Sequence, residues 1–198
     1  MAAQKIRACR VVLPGLLGVV LLAGCQTTQP VVARRLIQHQ SMIDFSGLKP
    51  VQTIESIACS LSVPDHWKTL ALQRHALYTH QQWKSPSAVT GLGIAYIQLP
   101  FPLSAKTIVW FAKQEYAKKG PDGKILAEWT DKYNRWWFEA ENTKYHVRGY
   151  VIADGLDAWI VYSGYKRGYA LEPGELSLAA RSMETILPKG VALAAKQD

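Results

Sequence analysis

The chain has 198 residues, of which 48% are hydrophobic, and carries 23 basic and 15 acidic side chains for a formal net charge of +8. Lys and Arg never run longer than a pair, which disfavours nucleic-acid binding. Seven Trp and nine Tyr are many for this length and indicate a β-rich domain with aromatic packing or an aromatic-lined surface.

The first 24 residues have the plan of a signal peptide. Lys5, Arg7 and Arg10 precede an uncharged run over residues 11–23 that ends in small residues. A membrane-spanning helix needs roughly 20 consecutive apolar residues, and this shorter run also contains Pro14 and Gly15. We therefore expect a targeting segment that is removed, not a permanent span.

The end of this segment, Leu22-Ala23-Gly24-Cys25, resembles the lipobox of bacterial lipoproteins. The resemblance implies cleavage just before Cys25, which then becomes the mature N-terminus and carries a thioether-linked diacylglycerol and an amide-linked acyl chain. Two or more acyl chains anchor a protein stably to a bilayer. Gln26 in place of an aspartate favours the outer over the inner membrane in a diderm envelope, on its periplasmic side. The alternative is an ordinary secretory leader that contains a cysteine.

Lipidation at Cys25 and loss of Cys9 with the leader leave Cys59 alone in the mature chain, so no intramolecular disulfide is possible. Cys59 lies in an alternating segment, residues 56–63, which predicts a buried strand position and not a reactive thiol. The mature chain keeps 20 basic and 15 acidic side chains, and its net charge of +5 suits contact with anionic lipid headgroups.

Three regions follow the cleavage point. Residues 25–52 lack a sustained period and are predicted to be a lipidated tether with one short helix around 32–40, and with Arg34 and Arg35 near the lipid. Residues 53–190 are long enough for a single domain with its own core. Residues 191–198 are expected to form a frayed tail.

The predicted elements of the domain begin with extended segments at 56–63, 72–83 and 93–100, with a loop at 85–93 before the last. A helix follows, with Ser104 as N-cap and a stripe formed by Ala105, Ile108, Val109, Ala112 and Tyr116. Four antiparallel strands then form an aromatic meander over 124–130, 135–142, 144–153 and 157–165. A second helix occupies 173–188 and buries Ala179 and Met183 among others.

This order predicts an α+β fold, an antiparallel β-sheet with helices packed on it. The order resembles the PsbP-like or Mog-like α/β/α sandwich over residues 56–188, and the resemblance rests on element order, not on a motif. It implies binding to protein partners and no shared catalytic constellation.

The meander brings polar and aromatic residues onto one face. If the turn at Asn142-Thr143 pairs Glu141 with Lys144, Glu139 lies opposite His146 and Trp137 opposite Arg148. The predicted face contains Glu128, Trp137, Glu139, Glu141, Lys144, His146, Arg148, Tyr150 and Trp159. The other face, which includes Ala127, Trp129, Trp136 and Phe138, is predicted to be core.

The candidate binding face comprises Trp137, Glu139, His146, Arg148, Tyr150 and Trp159. Three interpretations remain open: a structural ladder of cross-strand pairs, a face for a ligand or partner, and acid/base catalysis by Glu139 and His146. In the ladder, Glu139 pairs with His146 and Arg148 lies over Trp137 as a cation–π pair.

Other signals are weak. His66, His75 and His80 do not reproduce a zinc-binding spacing, and the chain contains neither GxGxxG nor GxSxG, so no metal or cofactor is predicted. We expect a lipid-anchored binding or scaffold domain that meets another envelope protein or a small apolar ligand. The alternatives are an envelope hydrolase using Glu139, His146 or Asp65, and a structural lipoprotein without small-molecule chemistry; the oligomeric state stays open.

Overall fold

A computed structural model describes residue 36 and residues 39–118 and 122–189. The predicted leader, Cys25, Arg34, Arg35 and the tail at 191–198 lie outside the described residues. None of the described helices combines the length and the hydropathy that a membrane span requires.

An antiparallel sheet of eight strands forms the centre of the domain. Its strands are β3 (Lys68–Thr69), β4 (Gln73–Arg74), β5 (Tyr78–Lys84), β6 (Thr90–Gln98), β7 (Lys124–Thr130), β8 (Trp136–Glu141), β9 (Tyr145–Asp154) and β10 (Asp157–Lys166). They follow the order β3-β5-β6-β10-β9-β8-β7, with β4 also pairing with β5. The predicted four-strand meander is thus confirmed as β7 to β10.

A second, small sheet joins both ends of the described domain. It contains β1 (Gln52–Ile54), β2 (Cys59–Leu61) and β11 (Leu187–Pro188), in the order β1-β2-β11. A short 3₁₀ helix, Glu55–Ile57, separates the first two strands, and Ala58 follows it with a left-handed φ of 45°. The single strand predicted over 56–63 is therefore shorter, although Cys59 is fully buried in it as expected.

Two helices of the described part, α1 (Ala105–Lys118) and α2 (Pro173–Glu184), cover opposite faces of the large sheet. Ile108 and Val109 of α1 share a core cluster with Val151 and Ala158. The next residues along the same strands, Ile152 and Trp159, belong to the cluster beneath α2. Successive strand residues point to opposite faces, so one helix covers each side. This confirms the α+β fold with helices packed on an antiparallel sheet.

The start of α1 also follows the prediction, because the Ser104 hydroxyl accepts a hydrogen bond of 3.2 Å from the Thr107 amide. The preceding strand differs, since β6 begins at Thr90 and takes in residues predicted as a loop. Gly91 and Gly93 lie inside it. A Cβ at Gly93 would come within 2.4 Å of the Tyr162 ring, so glycine here permits a tyrosine to lie flat on the strand.

The N-terminal segment is not a free tether where it is described. Leu36 and Leu48 are buried, Leu48 bridges to Pro64, and the Lys49 amide donates to the Val63 carbonyl at 2.8 Å. Leu36, His39 and Gln40 are helical, in agreement with the predicted short helix. The prediction of a tether over residues 25–52 is therefore wrong for this part. Single apolar side chains, which show no period in the sequence, pack this segment against the domain.

Candidate functional site

Strands β8 and β9 pair two residues away from the predicted register. Glu141 lies opposite His146, Glu139 opposite Arg148 and Trp137 opposite Tyr150. The turn is longer than predicted, because the Asn142 side-chain oxygen accepts the amides of Lys144 and Tyr145 at 2.9 and 2.7 Å. A shift of two residues keeps every side chain of these strands on its predicted face.

The three aromatic residues predicted for the binding face belong to the core instead. Trp137, Tyr150 and Trp159 are only 7%, 0% and 3% exposed. The Tyr150 hydroxyl donates to the Met183 carbonyl at 2.5 Å, and the Trp159 indole donates to the Ile57 carbonyl at 2.8 Å. Helix α2 and the small sheet cover this part of the face, and the polar ends of these rings find internal acceptors. The prediction that they are presented to a partner is wrong.

The remaining polar residues form a rim patch, which we define as Trp129, Glu139, His146 and Arg148. His146 Nε2 lies 2.8 Å from Glu139 Oε1, and its ring stacks on Tyr165 with centroids 5.0 Å apart. The predicted Glu139–His146 contact thus exists, although as a diagonal pair, since the two residues are not directly opposite each other.

Arg148 lies over two indole rings at this rim. Its guanidinium carbon is 5.3 Å from the Trp129 ring centroid and 5.1 Å from that of Trp137. The two indoles are themselves stacked and nearly parallel, with an interplanar angle of 6° and centroids 5.7 Å apart. The predicted cation–π contact with Trp137 is confirmed, and Trp129 adds a second ring below the same guanidinium.

Two neighbours on β7 exchange faces relative to the prediction. Trp129 pairs directly with Trp137, so it joins the rim patch, whereas Glu128 pairs with Phe138 on the α1 side and lies 2.5 Å from the Lys113 ammonium. The conformation of the loop between β7 and β8 determines this pairing, and the number of residues in the loop does not predict that conformation. Glu141 similarly lies near Arg167, at 3.5 Å, instead of pairing with Lys144.

The guanidinium of Arg148 is exposed, and among the described residues it has no hydrogen-bond acceptor and no carboxylate within ion-pair distance. Glu139, directly across the strand, is engaged by His146. No described residue accepts from the five N–H donors of Arg148, and their fixed plane matches a carboxylate or another oxyanion in a bidentate manner.

Sequence reasoning missed a second charged group, the Arg135 cluster, formed by His39, Asp131, Tyr133, Arg135 and Glu184. Arg135 is buried, and its guanidinium donates to Asp131 at 2.6 Å and to Glu184 at 2.7 Å. His39 contacts both Glu184, at 2.7 Å, and the Tyr133 hydroxyl, at 2.9 Å. The cluster joins the N-terminal segment, the β7–β8 loop and the end of α2.

Asp131 organises the loop within this cluster. One carboxylate oxygen accepts the amides of Tyr133 and Arg135, and the other accepts the Arg135 guanidinium and, at 2.8 Å, the Trp137 indole. Burial alone would raise the pKa of Asp131, but the hydrogen bond from Trp137 and the charge of Arg135 outweigh it, so its pKa is lowered. The carboxylate stays ionised in the folded state.

Arg135 remains charged for a related reason. Burial by itself lowers the pKa of a guanidinium, but Tyr150, Glu184 and Asp131 reverse the effect and raise it. The guanidinium also lies 4.7 Å from the Tyr150 ring centroid and 5.1 Å from that of Trp137. No local pattern in the sequence reveals this cluster, because Glu184 and His39 come from distant segments.

In the described ranges, no three His, Cys, Asp or Glu side chains lie close enough together to hold a metal ion. His80 instead contacts the Tyr162 hydroxyl, at 2.5 Å, on the α1 side of the sheet. Asp65, the third residue of the hydrolase hypothesis, is exposed in a turn where its amide bonds to the Gly47 carbonyl. It is not part of the rim patch as defined by the β8 and β9 pairing.

No protein-family model and no curated protein matches this chain. Among solved structures, the chain is similar to a protein from Bacteroides thetaiotaomicron VPI-5482, with 10% sequence identity and a TM-score of 0.36. The match covers 66% of this chain and 45% of that one, so the chain spans less than half of its neighbour's length.

Proposed function

We propose that this protein is a lipid-anchored bacterial envelope lipoprotein whose domain is a non-catalytic binding module. Cys25 carries the lipid, and Arg148 of the rim patch binds an acidic group on an envelope protein partner. The observation that carries the binding role is the exposed Arg148, whose guanidinium lies over the rings of Trp129 and Trp137 and has no acceptor among the described residues. Arg and Trp are the residue types that contribute most to binding at protein interfaces.

The contacts of the rim patch favour binding over hydrolysis. The contact between His146 Nε2 and Glu139 Oε1 resembles the pair that activates a nucleophile, but no serine, threonine or cysteine among the described residues is hydrogen-bonded to either side chain. Stacking on Tyr165 holds the imidazole in that position. Arg148, in contrast, is pre-oriented by the two indoles and loses little side-chain freedom when it binds an acceptor.

Mass spectrometry of the native N-terminus, together with fractionation of the envelope, tests the anchor. The expected product begins at Cys25 with covalent acyl chains and is found in the membrane fraction. An untruncated chain in the cytosol, with an unmodified Cys25 thiol, would contradict the proposal.

A charge-exchange experiment tests the role of Arg148. Arg148→Glu is expected to abolish co-purification of a specific envelope partner from detergent-solubilised membranes, and a Lys substitution for the contacting carboxylate of that partner is expected to restore it. Arg74→Glu, at an exposed position of β4, is the matched control. Equal recovery of the partner by both variants would remove Arg148 from the binding site.

A further inference from the structure

Helix α1 is apolar on its outer side as well as its inner side. Ile108 and Val109 are buried against the sheet, whereas the next two residues, Trp110 and Phe111, point outward and are 53% and 52% exposed. Their rings contact each other edge to face, with centroids 4.9 Å apart. We call Trp110 and Phe111 the outer aromatic pair.

The helix on the opposite face of the sheet has no such feature. Its exposed positions include Ser177 and Ala180, which are small. The outer aromatic pair is therefore particular to α1, where two adjacent large apolar side chains lie half exposed.

Two lysines of α1 flank the pair. Lys106 and Lys113 are one turn before and one turn after Trp110. Lys113 neutralises Glu128, and the Lys106 ammonium lies 5.6 Å from the Trp136 ring centroid. Tryptophan flanked by lysine is the combination that favours the boundary between lipid headgroups and acyl chains.

The proposed anchor keeps the whole domain close to a bilayer. Cys25 is eleven positions before Leu36, which is buried in the domain, and eleven residues span at most about 40 Å. Within that distance, the effective concentration of lipid around the domain is high, so even a weak contact is populated. The mature net charge of +5 adds attraction to anionic headgroups.

We infer that the outer aromatic pair of α1 inserts into the headgroup region of an anionic bilayer and orients the domain on the membrane, with the face covered by α2 directed away from it. The inference rests on the proposed lipid anchor at Cys25. It leaves the rim patch, on the α2 side of the sheet, accessible to a partner.

The test uses the processed full-length protein, reconstituted into vesicles that contain phosphatidylglycerol. Phe111→Cys carries an environment-sensitive fluorophore, and Ala180→Cys, exposed on the opposite face, is the matched control. Cys59 does not compete for the label, because it is fully buried and burial raises the pKa of its thiol to about 12. Mass spectrometry of the same sample establishes whether Cys25 is acylated.

We expect lipid-attached quenchers to reduce the fluorescence at position 111 and not at position 180, and water-soluble iodide to do the reverse. In vesicles of phosphatidylcholine alone, the quenching at 111 should decrease. Acylated protein with equal quenching at both positions would overturn the inference and leave the anchor intact. Protection of position 111 from both quenchers would mean that protein covers α1, and a Cys25 without lipid would remove the basis of the inference; either result overturns it.

Discussion

The guanidinium of Arg135 donates a hydrogen bond of 2.7 Å to the carboxylate of Glu184, which lies 49 positions later in the chain. The same guanidinium bonds to Asp131, and the same Glu184 oxygen contacts His39. One buried cation thus connects the β7–β8 loop, the end of α2 and the N-terminal segment. We therefore expect the Arg135 cluster to contribute to the stability of the fold.

Arg135→Met is expected to lower the free energy of unfolding by about 3–5 kcal/mol, because it leaves two carboxylates without their buried cation. Arg148→Met is the matched control, since Arg148 is exposed and its contact with the indoles contributes about 0.5–1 kcal/mol. Urea unfolding followed by tryptophan fluorescence measures both. Similar losses for the two variants would show that the Arg135 cluster does not stabilise the fold as proposed.

Asp131 should make the folded state sensitive to acid. Its pKa is lower in the folded state than its ordinary value of 3.8, so the unfolded state binds more protons in that range. The stabilisation is present above the unfolded value and is lost as the pH falls through the folded pKa. Unfolding experiments between pH 7 and pH 2 are expected to show a smaller acid-dependent loss in Asp131→Asn than in the native protein. An unchanged pH profile would contradict this assignment.

The docked N-terminal segment gives a third prediction. Leu36→Ala removes a side chain that is only 3% exposed and should cost about 2–4 kcal/mol of unfolding free energy. Met42→Ala, at a residue in the same segment that is mostly exposed, should change it by less than about 0.5 kcal/mol. Thermal denaturation of both variants measures the difference. A free tether would instead tolerate both substitutions equally.

The fit of Tyr162 onto β6 gives a fourth prediction. Gly93→Ala places a Cβ against the Tyr162 ring and should destabilise the fold by about 1–3 kcal/mol. Gly174→Ala, in α2, meets no atom within 4 Å and should be neutral or stabilising by up to about 1 kcal/mol. Combining Gly93→Ala with Tyr162→Ala should recover part of the loss from the first substitution, as measured in a double-mutant cycle.

Much of the fold follows from local patterns. Ser104 predicts the start of α1 because its side chain satisfies a helix amide locally, and the alternation around Cys59 predicts its burial. The meander is equally accessible, since its turns join strands that are adjacent in sequence. The candidate site was predicted less well. Burial of Trp137, Tyr150 and Trp159 depends on α2 and on the small sheet, which are distant in sequence.

The pairing of β8 with β9 shows the same difference between local patterns, which the sequence predicts, and cross-strand neighbours, which it does not. Alternation along β8 and β9 places Glu139, His146 and Arg148 on one face, and a shift of two residues does not alter that. The pairing itself depends on the side chain of Asn142, which lengthens the turn. The face was therefore predictable, and the neighbours within it were not.

The sequence by itself determined the α+β class, the order of the elements and the residues that share a strand face, because these depend on periodicity and on caps within a few residues. It is also the basis for the predicted lipid on Cys25. The tertiary structure alone decided which half of the aromatic face is covered, where Trp129 lies, and how Arg135 joins three separate segments. Those features depend on contacts between residues far apart in the chain, because the burial of a side chain depends on all the residues that pack around it.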